Sequence, residues 1–101
     1  MEIKAVKQNG IITVTLAGRL DMANALTAEQ AFLKYSKSGN VFELEMSQVD
    51  FVSSAGVRAL LTLYRIVTEN NGSVTILNPT DQIMEVLEET DFDALFTIKR
   101  G

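Results

Sequence analysis

The chain has 101 residues, a formal net charge of −4, and neither cysteine nor histidine. Those absences exclude a disulfide framework, metal ligation by thiolate or imidazole, and any nucleophile that depends on a cysteine or a histidine base. The acidic balance argues against nucleic acid as a partner, because phosphate binding needs a basic surface.

The length suits one domain, residues 1–101, and the 47% hydrophobic content is enough for a single core. No apolar run is long enough to span a bilayer, so no membrane insertion is expected. The opening "MEIKAVKQNG" lacks the apolar centre of a signal peptide, which makes the cytoplasm the expected location.

"EIKAVKQNGIITVTL" predicts a hairpin, because Asn9-Gly10 is a turn dipeptide whose two residues tolerate positive φ. Beyond it, Ile12, Val14 and Leu16 alternate with Ile11, Thr13 and Thr15. In "LAGRLDMANALTAEQAFLKYSKSGN" a helix is expected, with Gly18 allowing a turn, Asn24 as N-cap and Gly39 as the stop. Its inner stripe is Ala25, Ala28, Phe32 and Tyr35, with Leu26 and Leu33 on the flank. "VFELEM" reads as a strand and is followed by a loop through Asp50. The next helix carries Val57, Leu60, Leu61, Tyr64 and Val67 on one face and ends near "ENNG". "SVTIL" is a strand, and "NPTDQIMEVLEET" a helix with Asn78 as cap and Pro79 at the first helical position. "LFTI" closes the sheet.

The order β-β-α-β-α-β-α-β predicts an α/β (α+β-like) fold. It would have a mixed sheet of about five strands with the N-terminal hairpin at one side. The strands mix polar and apolar positions at period two, whereas strands buried on both faces read as continuous apolar runs. The helices are therefore expected chiefly on one face.

Four features carry candidate chemistry. Ser53 and Ser54 precede a helix, where serine is a good cap and where a phosphate would meet amide groups and the positive end of the helix dipole. Ser53, closing the strand-to-helix connection, is expected to cap; Ser54, at the first helical position, is expected to present its hydroxyl outward. Gly56 removes bulk beside them, so a partner backbone could approach. Asp21 reads as a loop or capping carboxylate; it also follows the second strand as the serines follow the third, and parallel pairing would bring the two connections together. As an acid/base pair, Asp21 and Asp50 have no supporting spacing. Glu85, Glu88, Glu89, Asp91 and Asp93 lack the ligand spacing of a calcium loop and read as a solvated helix end. No phosphate-binding glycine loop is present, "SAG" being too short, and no cofactor is expected.

Three segments in order resemble the STAS domain family, whose best-known members are bacterial anti-sigma factor antagonists. "LAGRLD" resembles the family's Gly-x-(Leu/Ile)-Asp segment. "LEMSQVDFVSSAGVRALL" resembles its central strand, loop and helix start, and "NGSVTILNPTDQIMEVLEETDFDALFTI" its closing strand, helix and strand. The resemblance covers nearly the whole chain. It implies that Ser54 is the phosphorylated serine, Asp21 the acidic residue near it and Gly56 the glycine of the same turn. Ser53 stands where many members have aspartate, and Ala55 where a second serine is frequent, leaving Ser54 as the clearer acceptor.

The implied function is partner switching without enzymatic activity. The unmodified domain would bind an anti-sigma factor, a serine kinase of ATPase fold, and free a sigma factor. Phosphorylation of Ser54 would reverse this, and a PP2C-like phosphatase would restore binding. Two other readings stand beside it. One is a constitutive STAS subunit of an ATPase-containing complex such as a lipid transporter. The other is a small carboxylate enzyme.

Overall fold

The computed structural model describes residues 1–101. The elements are β1 (Glu2–Gln8), β2 (Ile11–Leu20), α1 (Met22–Ser36), β3 (Val41–Val52), α2 (Ser54–Glu69), β4 (Ser73–Leu77), α3 (Asp81–Glu89), a 3₁₀ turn (Phe92–Ala94) and β5 (Thr97–Lys99). Asn9 and Gly10 both take positive φ, 54° and 80°. This is the twist a two-residue hairpin needs, and it sets the register Gln8↔Ile11 between β1 and β2.

The five strands lie in chain order, with β1 antiparallel to β2 and all other pairs parallel. Each crossover from β2 onward therefore steps one strand in the same direction. Right-handed crossovers that all step the same way put every helix on one face. The burial agrees: Ile12, Val14, Leu16, Phe42, Leu44 and Met46 are buried, while the alternate residues Thr13, Thr15, Glu43 and Glu45 are only half-buried. The one-sided arrangement expected from the period-two pattern is the one observed.

Phe32 of α1, Leu60 and Leu63 of α2, and Ile83 and Leu87 of α3 join these strands in one core cluster that contains no buried polar side chain. Each such side chain contributes about 1.5–3 kcal/mol through burial. On α2 the inner face runs through Gly56, Val57, Ala59, Leu60, Leu63 and Val67, with Leu61 and Tyr64 at its margins.

Four local expectations are corrected. Asn24 does not cap α1; Asp21, read as a loop or capping carboxylate, does: it is extended (φ −103°, ψ −174°) and its carboxylate accepts the Asn24 N–H at 3.1 Å. Asn24 is inside the first turn, where its side chain donates to the Arg19 carbonyl instead. Thr80, not Asn78, caps α3, accepting the Ile83 N–H at 3.3 Å, and Pro79 lies before the cap. Asn78 is left-handed (φ 53°), and its side chain is taken by Glu45 and the Gly101 N–H, so it has no oxygen left for a helix.

The segment through Asp50 is strand rather than loop. β3 continues to Val52 because β2 also continues, past irregularities at Thr15/Ala17 and Gly18/Arg19, with Gly18 at φ 109°. Finally, α1 ends at Ser36 with Lys37 as its C-cap. Gly39 lies beyond that end, where a Cβ would press on Ile12 at 3.2 Å.

Candidate functional site

β2 and β3 are parallel neighbours that end together, at the register pair Leu20↔Val52. Two strand-to-helix junctions therefore start side by side at one end of the sheet. The Ser53 N–H donates to the Leu20 carbonyl at 3.0 Å and ties the second junction to the first. Chain direction predicted that Asp21 and the serines would share this end, and they do.

Ser53 is the N-cap of α2 (φ −87°, ψ 174°). Its Oγ accepts the Gly56 N–H at 3.2 Å, and its carbonyl accepts the Val57 N–H at 2.9 Å. Ser54 is the first helical residue and is exposed, whereas Ser53 is half-buried. Two adjacent hydroxyls thus have different tasks. One is spent on the amides of the first turn. The other faces water at the positive end of a sixteen-residue helix.

Gly56 acts inward, not outward as the sequence suggested. It is buried, and a Cβ on it would lie 2.2 Å from the Leu20 carbonyl oxygen and 2.9 Å from the Leu20 side chain. Real Cβ atoms do not approach backbone that closely, so only glycine lets α2 start against the end of β2. The same Leu20 carbonyl accepts the Ser53 N–H, so one oxygen sets the spacing of both junctions. Ala55 is half-buried against the core, which leaves Ser54 the outward hydroxyl.

Asp21 is held on both oxygens. Oδ1 accepts the Asn24 N–H, and Oδ2 lies 3.5 Å from Arg19 Nε. The Arg19 guanidinium sits 4.2 Å over the Phe51 ring, the residue opposite it in the sheet. Arg19 and Phe51 were missed from the sequence, because only the shifted β2–β3 register places them together. A carboxylate committed to a cap and an ion pair is a poor general base, and Asp50 is exposed on β3. Glu85, Glu88, Glu89, Asp91 and Asp93 are all exposed, and no group of three or more acidic side chains is arranged to hold a metal ion.

Apolar surface adjoins the junctions. Met22 and Leu26, one turn apart on α1, are 80% and 62% exposed, and Leu33 continues the same face at 45%. On α2, Arg58 follows Ser54 by one turn and is exposed. The site is therefore a surface with a free hydroxyl, a fixed carboxylate, two arginines and an apolar flank. It is not a cleft lined with catalytic groups.

Comparison with known proteins adds the following. The STAS domain family model matches residues 2–101. The chain is 27% identical over 100 residues to BtrV of Bordetella bronchiseptica, a protein assigned as an anti-sigma factor antagonist; the match covers 97% of this chain and 85% of BtrV. In structure it resembles an anti-sigma factor antagonist from Mycobacterium paratuberculosis, with TM-score 0.86, 21% identity, and 97% and 84% of the two chains covered. It also resembles the phosphorylated form of the Bacillus cell fate determinant SpoIIAA, with TM-score 0.75, 15% identity and coverage of 96% and 90%.

Proposed function

The chain belongs to the STAS domain family, and from that premise we propose that it is an anti-sigma factor antagonist working by partner switching. The observation that carries the reading is Ser54: an exposed hydroxyl at the first position of α2, spared from capping by Ser53. The assignment of BtrV and the existence of SpoIIAA in a phosphorylated form support it.

In this reading the unmodified protein binds an anti-sigma factor, a serine kinase of ATPase fold, and so releases a sigma factor in the cytoplasm. Ser54, Asp21 and the apolar side chains Met22 and Leu26 form the contact surface, with Ser53, Ala55 and Gly56 fixing the backbone beneath it. The kinase reverses binding. Ser54 Oγ attacks the γ-phosphorus of ATP, the bond to ADP breaks, and the hydroxyl proton passes to a base of the kinase. A PP2C-like phosphatase hydrolyses the ester and restores the hydroxyl. The phosphate adds about −1.5 to −2 charge at one point of a packed interface. Burying that charge against a partner that offers no counter-charge weakens binding by roughly 2–5 kcal/mol. The domain itself acts as a binding module rather than a catalyst.

The test is affinity for the kinase-like protein that co-purifies with this chain from its own cells. Wild type and Ser54→Ala should bind alike. Ser54→Asp and the phosphorylated protein should bind roughly 30-fold more weakly or worse. Equal affinity of all four forms would instead favour a constitutive STAS subunit of an ATPase-containing complex, a reading to which the exposed Met22–Leu26 face also lends itself.

A further inference from the structure

The charge placed on Ser54 has a partner within its own helix. We infer that Arg58 is an intramolecular clamp that closes on the phosphate when Ser54 is modified. The inference rests on Ser54 being the modified residue and names what that modification engages.

α2 is helical without interruption from Ser54 to Glu69, so Ser54 and Arg58 stand at i and i+4 on one face. Long side chains on a helix lean toward its N-terminus and cover the preceding turn. A guanidinium at position 58 is thereby directed over position 54. Arg58 is exposed and enters neither of the protein's two ion pairs, which are Arg19–Asp21 and Arg100–Asp81. The first turn of α2 carries no acidic residue to compete for it. Guanidinium and phosphate are matched for bidentate hydrogen bonding, which a lysine at the same place would supply only as a point charge.

Charged groups on the neighbouring elements do not take Arg58 over. Asp21, at the start of α1, is occupied by the Asn24 N–H and Arg19. Asp50 is on the exposed side of β3. Glu29 of α1 accepts the Thr62 hydroxyl at 2.7 Å, one turn farther from Ser54 than Arg58 is. The free cation at the start of α2 is thus uncommitted until an anion appears beside it.

The consequence is a switch that changes two things together. Phosphorylation adds negative charge at position 54 and also withdraws Arg58 from the surface offered to a partner. The modified state is held by the helix itself and persists after the kinase has left.

The clamp can be tested without any kinase. Phosphoserine is incorporated at position 54 of the full chain during translation, and the phosphate is titrated by ³¹P NMR. In the Arg58 protein its second pKa should lie below that of the Arg58→Gln protein by about half a unit or more, because a nearby cation favours the dianion. Arg58→Lys should fall between them, and Arg65→Gln, three turns from the site, should match wild type. Helix dipole, Asp21 and Asp50 are common to all four proteins, so the difference isolates Arg58. Identical titration of the Arg58 and Arg58→Gln proteins, or an equal displacement in Arg65→Gln, would overturn the clamp. Failure of Ser54 to be phosphorylated in cells would count against the switching function and leave this titration unaffected, so the two ideas fail separately.

Discussion

The starts of α1 and α2 are two versions of one junction. Each follows a parallel strand, and each is capped by a residue that accepts the N–H three positions on: Asp21 from Asn24, Ser53 from Gly56. They differ in what is left over. At α1 the cap is charged, its second oxygen is paired with Arg19, and Arg19 is laid on Phe51. At α2 the cap is neutral, the next residue is an exposed serine, and the arginine one turn later has no counter-ion. One junction is electrostatically closed and the other is open. A change of charge can act as a signal only at the open one.

The comparison breaks most completely at Gly56. Gly56→Ala pushes a methyl group into the Leu20 carbonyl. It should cost about 3 kcal/mol, at the upper end for overpacking, because the obstacle is backbone and cannot rotate away. Urea denaturation would measure this, and a loss below about 0.5 kcal/mol, the range of an inert surface change, would contradict the close approach.

Removing the caps should have smaller and equal effects. Ser53→Ala and Asp21→Ala should each cost about 1 kcal/mol, while Ser54→Ala should be nearly neutral. Asp21→Asn keeps a capping oxygen and gives up only a partly exposed ion pair, so it too should stay near wild type. The same denaturation series decides this: a Ser54→Ala loss equal to that of Ser53→Ala would mean the cap has been assigned to the wrong hydroxyl.

The smallest effect lies away from both junctions, at Glu45. Partial burial pushes its carboxyl up, but hydrogen bonds from the Ser47 side chain, Asn78 and the Ser47 N–H outweigh this and hold it below the ordinary glutamate value. A carboxyl depressed in the folded state adds stability above its unfolded pKa, and that stability is lost as pH falls through the folded value. Glu45→Gln should therefore be slightly less stable than wild type at pH 7. The gap should begin to narrow as pH falls through the ordinary glutamate range and close once the folded carboxyl is protonated. Midpoints compared at pH 7 and pH 3 would check it, and a gap that widened in acid would reverse the sign.

Local rules were enough for the parts of the site that depend on local geometry. Asn9-Gly10 announced the hairpin, the period-two strands announced helices on one face, and the order Ser53-Ser54 before an apolar stripe separated a capping position from an outward one. What could not be read depends on residues distant in sequence. Asn78 looks like a cap until Glu45 and Gly101 take its side chain. Gly56 looks like open space until the end of β2 arrives beneath it. Arg19 and Phe51 face each other only after two shifts in register. Asp21 and Asn24 are both good capping residues, and α1 starts at the earlier one, whose carboxylate accepts the Asn24 N–H while the Asn24 side chain donates back to the Arg19 carbonyl.

The division of labour between the two serines is the central claim, and phosphosite assignment tests it most directly. The protein is incubated with ATP and the kinase-like protein that co-purifies with it, digested, and read by tandem mass spectrometry with fragment ions that separate residue 53 from residue 54. The account predicts phosphate on Ser54 and none on Ser53, whose oxygen is engaged by the Gly56 N–H. Phosphate on Ser53 with Ser54 unmodified would contradict it.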